Sequence, residues 1–401
     1  MKTIKPESMG MSSERLERIS PFLQNYVDEK KLAGFVVLVA RGGKTVYFET
    51  IGQADIYAGR PMQPHTIFRI FSMSKPITSA AIMMLVEEGR FHLNTPLYDF
   101  APWFKDCKVL VEREGKMVPE PLKTEITIHH LLTHTSGLSY GFEDNHYIDL
   151  LYRDRMGKLK ETNPNVPFDE YIRTLAAIPL VFQPGTAWRY SLATDVLGYI
   201  VQQASGIPFE TFLGERIFEP LGMVDTGFYV PAGKIDRFSV NYTPVQGGGL
   251  EMVDDSATGN FATDGSYFSK PNAPSGGGGL VSTAPDYLRF CQMLLNQGEL
   301  EGVRLLGRKT VEWMTINHLP NNGHIDDPAL GFGLGFAVLI DPALYSKMGS
   351  KGLYCWGGAA NTKFWIDPQE QLIGILLLQC MPDGVFPVEQ DFQNLVYQAI
   401  I

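Results

Sequence analysis

The sequence predicts an α/β fold in which helices flank an antiparallel sheet and a second, mostly helical domain occupies the middle of the chain. Three observations lead there. Strand-like apolar runs gather at the two ends, helix-like stretches closed by glycine fill the middle, and one glycine-rich polar stretch without periodicity interrupts that middle.

Taken in order, residues 12–30 carry Leu16, Ile19, Phe22, Leu23 and Val27 at helical spacing, which predicts an opening amphipathic helix. FVVLVA at 35–40 and TVYFET at 45–50, joined through Gly42-Gly43, predict a hairpin. The C-terminal end repeats this grammar with GFGLGFAVLI at 331–340, TKFWID at 362–367, a Pro368-Gln369-Glu370 turn and QLIGILLLQ at 371–379. These strands are expected to join the first hairpin in one sheet, so that residues 1–75 and 331–401 form a discontinuous α/β domain and 76–330 the helical one. The candidate helices ITSAAIMMLVEEG, ITIHHLLTHTSG, ATDVLGYIVQQASG and APDYLRFCQMLLNQG each end in a glycine, as a left-handed C-terminal cap requires. Residues 246–279, ending in SGGGGL, predict long loops.

The chain has 401 residues, 44% hydrophobic and 19% charged, enough to bury a large core. Thirty-four basic against 44 acidic side chains give a net charge of -10, which argues against a phosphate-backbone partner, so no nucleic acid is expected. The N-terminal MKTIKPESMGMSSERLERIS lacks the apolar centre of a secretory signal, and the apolar run LIGILLL at 372–378 falls short of the about 20 residues that span a bilayer. A soluble, cytoplasmic protein with no membrane partner is expected. Cys107, Cys291, Cys355 and Cys380 show no C-x-x-C spacing and predict reduced, packing thiols. No metal site is expected. His130 and His134 are four apart on a predicted helix, but Leu131 stands where a zinc-protease helix carries glutamate, so both are assigned structural roles. The glycine run at 276–279 lacks the lysine and hydroxyl of a phosphate loop.

Three segments could carry chemistry. Phe71-Ser72-Met73-Ser74-Lys75-Pro76 precedes the ITSAAIMMLVEEG helix, and a spacing of three sets Lys75 on the helical face of Ser72, where exposed N–H groups favour developing negative charge. Ser-x-x-Lys occurs once here; on that motif alone, an N-cap serine followed by a solvated lysine is the better fit. Tyr190, in Trp188-Arg189-Tyr190-Ser191, falls at a loop-to-helix junction from which it could point into a cleft; a phenol beside an ammonium accepts this role, and a core tyrosine with a satisfied hydroxyl is the alternative. Tyr354-Cys355-Trp356-Gly357-Gly358-Ala359 reads as a strand whose paired glycines permit close approach of a ligand or another chain, or mark a bulge.

In this order, and together with LLTHTSGLSYGF at 131–142, QPGTAWRYSLATDVLGYIVQQASG at 183–206 and GGGGLVSTAPDYLRF at 276–290, these segments resemble the serine beta-lactamase and penicillin-binding-protein superfamily. The resemblance runs from the first hairpin to the last strand and is to the class C-like branch that includes the family VIII carboxylesterases. It implies a beta-lactamase-like fold with Ser72 as nucleophile, Lys75 as its proton partner, and Tyr190 as base or proton shuttle. It further implies an oxyanion hole from the backbone N–H groups of Ser72 and Ala359, with Trp356, Gly357 and Gly358 on a substrate-edge strand. No cofactor is implied, and the expected partner is a small-molecule ester.

Two departures from the class C pattern bear on substrate. Tyr190-Ser191-Leu192 stands in place of Tyr-x-Asn and loses an amide; Trp356-Gly357-Gly358 stands in place of Lys-Thr-Gly and loses a cation that would face a lactam carboxylate. An unpaired carboxylate in a cleft is costly. The sequence therefore predicts hydrolysis of neutral, short-chain carboxylic esters through a Ser72 acyl-enzyme. Acyl transfer to an alcohol, as in the related statin side-chain acyltransferases, is the nearest rival, followed by beta-lactam or D-amino-acid peptide cleavage and by a non-catalytic scaffold. Joint retention of Ser72, Lys75 and Tyr190 argues against the scaffold. The natural ester, the oligomeric state and the choice of Lys75 or Tyr190 as base are left open, since the two would share one proton.

Overall fold

The computed structural model describes residues 2–163, 165–253 and 267–401. Its centre is an eight-stranded antiparallel sheet, and the two ends of the chain build it together. Strands β1 (Gly34–Arg41) and β2 (Lys44–Asp55) form the expected hairpin, with Gly42 and Gly43 at φ 55° and 75° in the left-handed region that glycine adopts without strain. The short β3 (Arg60–Pro61) continues beyond β2. From the C-terminal part come β4 (Leu330–Phe332), β5 (Ala337–Leu339), β6 (Tyr354–Gly358), β7 (Thr362–Asp367) and β8 (Leu372–Leu377), in the order β4-β5-β6-β7-β8-β1-β2-β3.

The uninterrupted apolar character of β1 follows from burial on both faces. Val36, Leu38 and Ala40 join a core with helix α2 (Ser74–Glu87), while Phe35, Val37 and Val39 join a second core with α1 (Ile19–Asp28) and α5 (Val388–Tyr397). Helix α3 (Ala193–Ser205) packs in the first core and ends at Gly206, φ 77°, as its sequence predicts. Helix α4 (Ala284–Leu295) belongs to the middle of the sequence yet packs on the sheet, the Tyr287 ring 5.1 Å from Phe364. No helix of the described residues is long and apolar enough to cross a membrane.

Four expectations are corrected in detail. The opening helix is two pieces, Ser13–Leu16 and Ile19–Asp28, and the apolar spacing continues across the turn at Glu17 and Arg18 that separates them. Residues 331–340 are a hairpin and not one strand: Gly335 turns at φ 98°, and Gly333 lies so close to Met314 that a Cβ there would meet its carbonyl oxygen at 2.2 Å. ITIHHLLTHTSG is helical only over Ile128–Leu132, capped by Thr127, because His134 takes φ 54°; His130 and His134 therefore do not share a helix face. The middle of the chain also holds hairpins, Lys108–Arg113 with Lys116–Pro121 and Tyr242–Pro244 with Leu250–Met252, whose strands are short or exposed and lack the apolar alternation that reveals a buried strand. Of the predicted loop 246–279, residues 254–266 lie outside the described residues.

Candidate active site

The nucleophile candidate is presented by a pinned turn. Phe68–Arg69 pairs with Val281–Ser282, the Ile70 N–H donates to Leu280 O at 3.1 Å, and the chain then turns through Phe71 at φ 42°, a conformation disfavoured for a bulky residue. Ser74 Oγ donates to Phe71 O at 2.6 Å and accepts from Leu280 N at 3.1 Å, while Tyr287 Oη donates to Met73 O at 2.9 Å. Ser72 thus occupies a single 3-10 turn, Phe71–Met73, that leads directly into α2.

Lys75, one turn on, is buried behind it. Its Nζ lies 3.2 Å from Ser72 Oγ, donates to Gly277 O at 2.6 Å, and stands 4.5 Å from the centre of the Tyr190 ring. Tyr190 Oη is 2.6 Å from Ser72 Oγ on the other side. The phenol is held by stacking on Tyr140, ring centres 5.2 Å apart and planes 19° apart, and by the loop around it: Arg189 N donates to His134 O at 2.9 Å, and the Arg189 guanidinium bonds Asp149 at 2.9 Å and Ser139 at 2.8 Å. His134 lies 5.1 Å from the Tyr190 ring and shares a 2.9 Å hydrogen bond with Ser191 Oγ. Burial, and secondarily the charge of Lys75, push its imidazole well below the ordinary histidine range, so it packs there as a neutral ring.

The four-glycine run is a tightly packed loop that carries the acceptor for Lys75. A Cβ on Gly276 would meet Thr194 O at 2.6 Å, and one on Gly277 would meet Asp195 Oδ2 at 2.5 Å. Asp195, fully buried in the first turn of α3, accepts from Ser275 Oγ at 2.5 Å and so ties the loop to the helix that follows Tyr190. This role was not legible beforehand, since one aspartate at a helix start reads as a dipole partner.

On the sheet side, β6 approaches the Ser72 turn so closely that a Cβ on Gly358 would meet Ile70 O at 2.5 Å. Thr362, paired with Gly358, donates to the same carbonyl at 3.3 Å. The Trp356 indole fills the space between Tyr190, ring centre at 5.5 Å, and Phe332, at 5.3 Å. The result is a cleft of about 370 Å³ into which Ser72, Tyr190, Trp356, Gly357, Gly358 and Ala359 all open, with Lys75 beneath. All seven candidate residues are thereby brought to one place.

The same cleft is also lined by a charged array that sequence reasoning missed. Lys347 bonds Glu389, Glu389 also takes Lys363 at 3.1 Å, and Lys363 bonds Asp383 at 2.7 Å. Burial raises the Glu389 carboxyl, but the two lysines outweigh it and hold it at about 2. Because the folded value lies below the ordinary 4.5, the stability this carboxylate contributes is present above that value and is lost as pH falls toward 2. Thermal midpoints of wild type and Glu389→Gln are therefore expected to differ at pH 6 and to converge on acidification; a gap that stays constant across that range overturns the assignment. Among the described residues, no group of three His, Cys, Asp or Glu side chains is arranged to hold a metal ion, and all four cysteines are free thiols.

The Beta-lactamase family profile matches residues 19–398. The chain is 33% identical over 409 residues to Esterase EstB of Burkholderia gladioli, covering 98% of each chain, and 36% identical over 376 residues to Protein Rv1367c of Mycobacterium tuberculosis, covering 90% of this chain and 89% of that one. Among solved structures it superposes on EstCE1, described as a hydrolase with promiscuous acyltransferase activity, with a TM-score of 0.80 at 27% identity, covering 98% of this chain and 99% of that one.

Proposed function

The chain belongs to the Beta-lactamase family, and we propose that within it this protein hydrolyses carboxylic esters by way of an acyl group carried on Ser72. The observation that carries this reading is the position of Ser72 Oγ, 2.6 Å from Tyr190 Oη and 3.2 Å from Lys75 Nζ at the floor of an open cleft. A hydroxyl is a weak nucleophile until a neighbour takes its proton. Here the Tyr190 oxygen is within reach of that proton, and the Lys75 ammonium would stabilise the phenolate that receives it.

Attack on the ester carbonyl forms a bond from Ser72 Oγ to carbon while the proton passes to the Tyr190–Lys75 pair. The negative charge that develops on the carbonyl oxygen is assigned to the backbone N–H groups of Ser72 and Ala359, each such donor contributing about 3 to 4 kcal/mol in serine hydrolases. Collapse expels the alcohol, which takes the proton back from the pair. Water then repeats the sequence against the acyl group, releasing the acid and restoring Ser72. The indole of Trp356, set where a lysine would face a lactam carboxylate, supports neutral, short acyl or alcohol groups packed against Tyr190 and Phe332. Similarity to EstB and to EstCE1 supports ester chemistry, and EstCE1's acyltransferase activity favours a second reading, capture of the same acyl group by an alcohol.

The test is a panel of p-nitrophenyl esters of increasing acyl length run beside a cephalosporin, with and without an added alcohol. Turnover is expected to be highest with short acyl chains and to exceed cephalosporin cleavage. A cephalosporin rate above every ester overturns the reading, and an acyl-alcohol product exceeding free acid moves it to transferase.

A further inference from the structure

The sequence expectation of a cleft without a cation rests on Trp356 alone, and the folded chain brings a lysine in from the neighbouring strand. In the β6–β7 register Gly357 stands opposite Lys363. Gly357 has no side chain, and Lys363 occupies the space: a Cβ at 357 would meet Lys363 Cδ at 2.5 Å and Nζ at 2.8 Å. The ammonium therefore rests against β6, the strand that lines the cleft, beside the position two residues before Ala359.

Its partners are unequal. Glu389 is shared with Lys347, so it is held from two sides. Asp383 is 40% exposed on the turn after β8 and, besides its 2.7 Å contact with Lys363, takes part in no other ion pair among the described residues. Asp383 is the exposed partner and Lys363 the buried one, so exchanging Asp383 for another carboxylate keeps the ammonium paired, whereas removing its second anion leaves a buried charge less well compensated. Exchange of one carboxylate for another keeps the charge of the array constant. A neutral ester leaves the array as it stands.

We propose that Lys363 is a carboxylate-binding subsite of the catalytic cleft, with Asp383 as its displaceable counter-ion, so that the enzyme also accepts esters bearing a free carboxylate, such as hemiesters of dicarboxylic acids. This rests on the ester-hydrolase reading and enlarges its substrate class beyond neutral esters.

The experiment compares kcat/KM for mono-p-nitrophenyl glutarate with that for p-nitrophenyl valerate, and in a second arm 4-carboxyphenyl butyrate with 4-methoxyphenyl butyrate, so that a carboxylate on either side of the ester is sampled. In at least one arm, Asp383→Asn is expected to raise the anionic-to-neutral ratio about threefold to fivefold by removing the competitor, and Lys363→Met to lower it roughly tenfold. Opposite movements of an internal ratio cannot come from loss of folded protein. Ratios that do not move in either arm, or that move in the same direction in both variants, overturn the subsite. Titration of monomethyl glutarate into Ser72→Ala protein by calorimetry reads the subsite without turnover: weaker binding on adding Lys363→Met supports it, and equal binding, or none to either protein, overturns it. Absence of turnover with all four esters beside intact, Lys363-dependent glutarate binding would instead refute the hydrolase reading and leave the subsite standing.

Discussion

Ser72→Ala is expected to lower kcat for p-nitrophenyl butyrate by about 10⁴-fold or more and to abolish labelling by a fluorophosphonate, with the fold retained. The magnitude follows from the kind of step removed. Without Oγ no covalent acyl intermediate can form, and what is left is water attack aided by the oxyanion donors and binding, a residue of catalysis well below the full rate in serine hydrolases. The fold should tolerate the change because the turn is held by Ser74, Leu280 and Tyr287 and not by the Ser72 side chain. Truncation frees Tyr190 Oη toward the open cleft, where water can replace the lost bond, so the stability cost should stay near 1 kcal/mol. Circular dichroism and a thermal midpoint close to wild type verify the second half. Turnover within tenfold of wild type in a folded Ser72→Ala protein would falsify the nucleophile assignment.

How much of this was legible beforehand differs residue by residue. The sheet was readable because β1 and β8 are near-continuous apolar runs, each adjoining a short polar turn, and helices α2, α3 and α4 because their apolar spacing stops at glycines that do adopt left-handed φ or follow the last turn. Ser72 and Lys75 could be placed together by spacing, since three residues is less than one helical turn. Tyr190 could not: 118 residues separate it from Ser72, and only the resemblance of the whole motif order pointed to it. Phe71 gave no sign of its positive φ, because strain of that kind is imposed by the surrounding hydrogen bonds and not by the residue's own preference. The Lys347–Glu389–Lys363–Asp383 array was illegible for a related reason. Its members come from separate segments, each reads as an ordinary surface charge, and only the side-chain-free position at Gly357 lets Lys363 lie along the cleft.

The second large effect concerns Tyr190 and Lys75, which the proposed mechanism uses as one proton-transfer unit. Tyr190→Phe is expected to lower kcat by about 10³-fold or more, Lys75→Met by a similar factor, and the double variant by no more than about tenfold beyond the worse single one, because groups that act as a unit are grossly non-additive. Phenylalanine at 190 preserves the stack on Tyr140, so its loss should appear in kcat and not in the thermal midpoint. Lys75 is a harder case: it is 1% exposed, and its Nζ is the donor to Gly277 O, so any truncation leaves a buried carbonyl short of a partner. Methionine keeps the length and most of the volume, which limits cavity formation and separates loss of charge from loss of packing. Stopped-flow measurement then divides the step. If the pair accepts the Ser72 proton, both single variants should abolish the burst of p-nitrophenol that marks acylation, whereas variants that slow only water attack would retain the burst and lower the steady rate. Losses in the double variant that multiply, or a burst retained in Tyr190→Phe, would show that Tyr190 and Lys75 act on different steps, and the hydrogen-bonded triangle around Ser72 Oγ would then be a ground-state arrangement without a shared role in proton transfer.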